Sequence, residues 1–254
     1  MISSKIIMKR IVSVIYGLIA YLTFLITFLY LIGFEENLLV PKSLDSAPTE
    51  SLSTALLINL ALIGLFGLQH SGMARPGFKK WCLKTIPSHL ERSTYVLMTC
   101  LMLILLFWQW RPLGGVVWEV KNITLTYILY SISALGWVIV FLSTVLINHF
   151  DLFGLRQVYL YFKSEKYQYL DFKIIGFYKY VRHPLMLGFL IAFWFTPKMT
   201  ITHFIFALGM TAYIIIAIHL EEKDLIDIYG DLYKKYQQQV SMLIPFLKTS
   251  LPES

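Results

Sequence analysis

Residues 11–34, Ile11-Val12-Ser13-Val14-Ile15-Tyr16-Gly17-Leu18-Ile19-Ala20-Tyr21-Leu22-Thr23-Phe24-Leu25-Ile26-Thr27-Phe28-Leu29-Tyr30-Leu31-Ile32-Gly33-Phe34, decide the fold. The run holds no Asp, Glu, Lys or Arg, and it exceeds the roughly 20 residues that cross the hydrocarbon core of a bilayer. It is too long for the apolar part of a signal peptide, and no small-residue cleavage site follows it. It therefore reads as a retained membrane helix. Similar blocks follow at about Leu52–Gln69, Tyr95–Trp110 and Leu125–Ile147. Two more lie between Leu185 and Leu220, divided by the turn signal Thr196-Pro197-Lys198. The fifth, Leu185–Phe195, is short for a full span. The expected fold is all-α: a polytopic transmembrane bundle of about five or six helices ending in a C-terminal helical hairpin, as one integral membrane domain over residues 1–254.

Composition agrees. Of 254 residues, 57% are hydrophobic and 15% charged, against about 45–50% and about 25% in soluble domains. The net charge of +7 reflects basic residues at the ends of apolar segments, which fits anionic lipid and topology better than nucleic acid. With the N-terminus in the cytosol, 18 of the 22 basic residues fall on the cytosolic side. The outer loops keep Lys42, Arg111, Lys121 and Lys198. The positive-inside rule then puts both termini, Lys248 included, in the cytosol. Cys82 and Cys100 have neither disulfide nor zinc spacing, and no metal site is expected. The chain has no dinucleotide-binding, P-loop or nucleophile-elbow motif and no histidine pattern of a membrane di-iron oxygenase.

Four polar clusters flank the cytosolic ends. The first, Gly176-Phe177-Tyr178-Lys179-Tyr180-Val181-Arg182-His183-Pro184, precedes a helix with proline in its first turn. Arg182 and His183 at a helix N-terminus suit a carboxylate or phosphate, or simply anchor the helix at the headgroups. The second is His219-Leu220-Glu221-Glu222-Lys223. Carboxylates at the C-terminal end of a membrane helix conflict with its dipole, which marks a candidate site unless the helix simply continues, solvated, into the cytosol. Together Arg182, His183, Glu221 and Glu222 suit a zwitterionic headgroup, with Tyr178 beside them. Leu225, Tyr229 and Tyr233 share a helical face that caps the site or lies on the membrane. The other clusters are Asn148-His149-Phe150-Asp151 through Arg156-Gln157 and Gln69-His70-Ser71 through Arg75-Pro76. In them His70, Asn148, Asp151 and Arg156 are candidates for substrate binding or for interfacial caps.

The order Arg182-His183-Pro184, Gly188, Glu221-Glu222, Tyr229-Gly230-Asp231-Leu232-Tyr233 and Pro245 resembles the C-terminal signature of isoprenylcysteine carboxyl methyltransferases. Nurim-like and NnrU-like membrane proteins share parts of it. Gln69–Pro76, Glu91–Tyr95, Trp110-Arg111-Pro112, Asn148–Gln157, Phe193-Trp194, Thr196-Pro197 and Met199-Thr200 narrow the resemblance to the bacterial methanethiol S-methyltransferases of the nurim-like group. Such enzymes usually carry tyrosine where this chain has Met186. The resemblance implies a multi-pass protein of the bacterial inner membrane that uses S-adenosylmethionine to convert methanethiol to dimethyl sulfide. The cofactor would sit within 176–245, on Arg182, His183, Glu221, Glu222 and Tyr178. The catalytic base is left between His149 and His183. A non-enzymatic nurim-like scaffold, or a methyltransferase for an isoprenylated or other lipid-like acceptor, are the alternatives.

Overall fold

The computed structural model describes residues 4–168 and 170–247; Lys248 lies outside them. Among the described residues ten α-helices follow one another: α1 Ser4–Glu35, α2 Leu52–Ala74, α3 Pro76–Cys82, α4 Ser88–Gln109, α5 Ile123–Ile147, α6 His149–Leu152, α7 Leu155–Lys163, α8 Pro184–Trp194, α9 Ile201–Tyr229 and α10 Asp231–Gln239. Five of them, α1, α2, α4, α5 and α9, are long and apolar enough to cross a membrane. Side chains cap the starts of several of these helices. Ser51 accepts from the Thr54 amide, Asn122 from Leu125 and Thr200 from His203, each satisfying an N–H that the helix leaves open.

The eleven-residue α8 spans about 16 Å at 1.5 Å per residue, half of a bilayer core. It is held against α5 by backbone contact. A Cβ on Gly188 would stand 2.7 Å from the Gly136 carbonyl and 2.8 Å from the Val140 amide. Small residues at such crossings let membrane helices approach closely, where packing replaces the hydrophobic effect. Phe34, Trp110, Phe193, Phe206 and Ile218 are fully enclosed at the centre of the bundle.

Two features depart from the sequence reading. A short antiparallel ladder, β1 Val116–Glu119 with β2 Lys198–Thr200, joins the loop before α5 to the turn between α8 and α9. Apolar block lengths carry no signal for it. In addition, α9 continues nine residues past Leu220. Glu221 and Glu222 therefore lie about two turns before its end. The dipole acts mainly in the last turn, so the expected conflict with it disappears.

Candidate functional site

Pro184 occupies the first turn of α8, as its ring geometry favours. The residues before it are extended and lie parallel to the segment that follows α10. The Arg182 amide donates to the Ser241 carbonyl at 2.8 Å and the His183 amide to Met242 at 3.2 Å. This pairing seats both side chains under the C-terminal segment, where they are 7% and 6% exposed.

The centre of the cluster is the Glu222 carboxylate, its side chain 10% exposed. Its Oε1 accepts from Arg182 Nε at 2.6 Å, bonds His183 Nε2 at 3.0 Å and accepts from the Tyr233 hydroxyl at 3.3 Å. Its Oε2 accepts from Gln237 Nε2 at 2.8 Å. Arg182 Nη1 also donates to the carbonyls of Gln237 and Val240. A buried carboxylate is tolerated when a guanidinium and further donors fill its lone pairs. Here those donors come from the mouth of α8 and from α10. Arg182 and Glu222, read from sequence as two sides of a ligand site, are thus each other's partners, and they lock the hairpin and the C-terminal segment together.

Glu221 behaves differently. Its side chain is 48% exposed and lies 3.8 Å from His183 Nδ1. Its charge also acts at Tyr178, Tyr213 and Tyr95, so several helices face the space around it. Tyr178 stands on a 3-10 turn, Gly176–Lys179, and its carbonyl accepts from the Tyr236 hydroxyl at 2.6 Å. Burial, and next the Glu221 charge, push the Tyr178 hydroxyl above its ordinary range, which keeps it a protonated donor.

The corner between α2 and α3 reaches the same place. Arg75 donates to the Leu220 carbonyl at 2.7 Å and pairs with Asp224 at 2.8 Å. Ser71 donates to the Tyr213 hydroxyl at 3.3 Å. His70, half-buried, bonds Thr99 through Nδ1 at 3.1 Å, and the Tyr95 hydroxyl rests 3.1 Å from both of its ring nitrogens. The His70 network and the hairpin therefore approach one another around Glu221.

The remaining predicted residues form a separate corner. Asn148 caps α6 by accepting from the Asp151 amide. Asp151 pairs with Arg156 at 2.8 Å and accepts from Tyr167 at 3.2 Å. Arg156 also reaches the Gln168 carbonyl. His149 bonds the Tyr21 hydroxyl through Nε2 and Thr144 through Nδ1, each at 2.8 Å. Partial burial lowers its imidazole from the ordinary value. Both nitrogens are engaged between α1 and α5, and these bonds do not reach the hairpin cluster. Met186 packs on the main core.

Sequence reasoning did not single out Gln237, Ser241, Met242, Tyr213 or Tyr95 as parts of this region. The tyrosine spacing near α10 signalled Tyr233, which is buried on Glu222. The segment 240–242 acts through backbone carbonyls, which leave no side-chain signature.

Among known proteins, the chain is 55% identical over 240 residues to a methanethiol S-methyltransferase of Crocosphaera subtropica, covering 94% of each chain. It is 47% identical over 239 residues to one of Mycobacterium tuberculosis, covering 94% of this chain and 98% of the relative. Nurim of Rattus norvegicus is 27% identical over 195 residues, 74% of each chain. No protein-family model and no solved structure matches.

Proposed function

The chain belongs to the methanethiol S-methyltransferase family, and from that membership we propose that it methylates the thiol of methanethiol with S-adenosylmethionine, giving dimethyl sulfide. The observation that carries this reading is the half-exposed Glu221 beside the buried His183 at the mouth of α8.

The residues suit the donor. It is a cation twice over, at its ammonium and its sulfonium, with one carboxylate. Glu221 is a half-exposed carboxylate whose charge reaches Tyr178, Tyr213 and Tyr95, and aromatic faces attract cations. Glu221 would take the ammonium or a ribose hydroxyl, and Tyr178 would donate a hydrogen bond. Arg182, whose contacts with Glu222 and the two carbonyls use Nε and Nη1, would offer its Nη2 edge to the carboxylate. When bound, the cofactor supplies an electrophilic methyl group on a sulfonium.

The acceptor sulfur attacks as a thiolate, so its proton needs a base. His183 fits that task. With Nε2–H donated to Glu222, the lone pair of the neutral ring is on Nδ1, on the side of Glu221. Glu222 sets this tautomer and steadies the imidazolium formed when the proton arrives, the usual effect of a carboxylate on a histidine. In-line methyl transfer then depends on alignment more than on covalent help from the protein, and the clamp around Glu222 supplies a rigid mount.

The orientation follows the basic residues. Both termini and the site face the cytosol of a bacterial inner membrane, where the polar donor is dissolved, while the small apolar thiol enters from the lipid side. The test is to supply methanethiol and S-adenosylmethionine to membranes containing the protein and to follow dimethyl sulfide in the headspace. Protein-dependent product is expected. Its absence with correctly inserted protein would overturn the reading, and binding of S-adenosylmethionine without it would point to another acceptor.

A further inference from the structure

The short helix α7 rests on α1 at Gly17, where an added Cβ would stand 2.7 Å from the Val158 side chain. On its other side Tyr161 stacks on His89 of α4 at 3.6 Å. Wedged there, α7 leaves Tyr159 and Phe162 exposed, together with Phe150 just before it. Between these rings and α1 runs a groove of about 590 Å³ lined by Val14, Leu18, Phe150, Leu155, Tyr159 and Phe162, with Asn148 and Arg156 as its polar members. It is separate from the Glu222 cluster.

Two cations neighbour the residues that line this groove. Arg10, Val14 and Leu18 are spaced i, i+4, i+8 on α1 and share one stripe. Val14 and Leu18 line the groove, so Arg10 stands one turn beyond them toward the basic end of the bundle. Its Nε is buried and has no hydrogen-bond partner among the described residues. A buried N–H of a charged group left without an acceptor is costly. Lys163 places its ammonium 5.9 Å from the ring of Tyr159. Arg156 adds no free charge, because Asp151 and the Gln168 carbonyl engage it.

We propose that this groove binds one anionic phospholipid, its acyl chain along Val14, Leu18 and Phe162 and its phosphate between Arg10 and Lys163. The chemistry selects this occupant. A soluble phosphate would leave the apolar lining uncovered. A zwitterionic lipid would bring an ammonium toward two cations. An anionic lipid satisfies both ends, and basic pockets at membrane-facing helix junctions take such headgroups. The proposal does not depend on the methyl-transfer reading, and its readout does not use activity.

Purified protein is reconstituted in nanodiscs of phosphatidylcholine alone or with phosphatidylglycerol. Thermal unfolding is followed there, and retained lipid is counted by native mass spectrometry after gentle extraction. The expected result is one retained phosphatidylglycerol and a higher unfolding temperature with that lipid. Arg10→Gln should weaken retention about fivefold, the worth of one basic residue near an anionic surface. Leu18→Trp, which fills the groove, should weaken it as well, and Lys80→Gln on α3 should not. Equal retention of phosphatidylcholine, wild-type retention in both groove variants, or an equal thermal shift from inorganic phosphate would each overturn the proposal. If a variant fails to fold by circular dichroism, competition between the two lipids for the wild-type protein decides.

Discussion

Replacing Glu222 with glutamine is expected to destabilise the fold before it alters chemistry. The side chain is 10% exposed, and four donors converge on it: Arg182, His183, Tyr233 and Gln237. Glutamine keeps one carbonyl oxygen for Arg182. Its amide then meets the Gln237 amide donor where an acceptor stood, and the guanidinium, 7% exposed, loses its counter-charge. Breaking a buried pair by removing one partner costs about 3–5 kcal/mol. At 1.4 kcal/mol per tenfold, the open fraction should rise roughly 10²- to 10⁴-fold. The protein provides its own probe, since Cys82 and Cys100 are free and 7% and 2% exposed. Their labelling by a thiol-reactive dye in detergent follows opening of the bundle. The reasoning predicts much faster labelling and a lower unfolding temperature in Glu222→Gln. Labelling within about twofold of wild type would refute the clamp, because a solvated helix end loses almost nothing with its charge.

Glu221→Gln should show the opposite pattern. Its side chain is half-exposed, so labelling should be unchanged, while the loss of a hydrogen bond to a cationic ligand, about 1.5–3 kcal/mol, should weaken S-adenosylmethionine binding by one to two orders of magnitude in a titration. Gly188→Ala should destabilise by about 1–3 kcal/mol, because its Cβ would meet the Gly136 carbonyl and the Val140 amide; thermal unfolding should show it, and Gly64→Ala, with nothing within 4 Å, should be silent. His149 has its folded-state pKa lowered from 6.5 by burial, so the unfolded chain binds its proton more readily. Its contribution is present above about pH 6.5 and is lost as pH falls through the lower folded value. Unfolding temperature measured from pH 7.5 downward should drop less steeply in His149→Gln than in wild type.

Much of the fold is legible from local properties. An apolar run without charges must lie in the hydrocarbon, and its length follows from bilayer thickness. That is why α5 and the short α8 fall close to their expected limits, while α1 ends where expected but begins seven residues earlier, at Ser4. Proline before Leu185 and the Thr196-Pro197 turn are likewise local backbone constraints. The β1–β2 ladder was not legible, because it pairs Val116 with Thr200 across the four intervening helices α5 to α8. The nine-residue extension of α9 was legible only as an alternative, a helix continuing into the cytosol. Its polar sequence suits a loop as well as a helix until Tyr233 and Tyr236 pack beneath it.

The candidate site divides in the same way. Sequence alone determined that Arg182, His183, Glu221 and Glu222 stand at neighbouring ends of a membrane hairpin, since chain order and span length require it. Only the tertiary structure decided which carboxylate turns inward. Glu221 and Glu222 are adjacent, but successive residues of an α-helix point about 100° apart. Packing of α9 against α8, α10 and the C-terminal segment directs Glu222 into the clamp and leaves Glu221 half-exposed beside His183. That rotation depends on surfaces contributed by distant parts of the chain, and no local pattern encodes it.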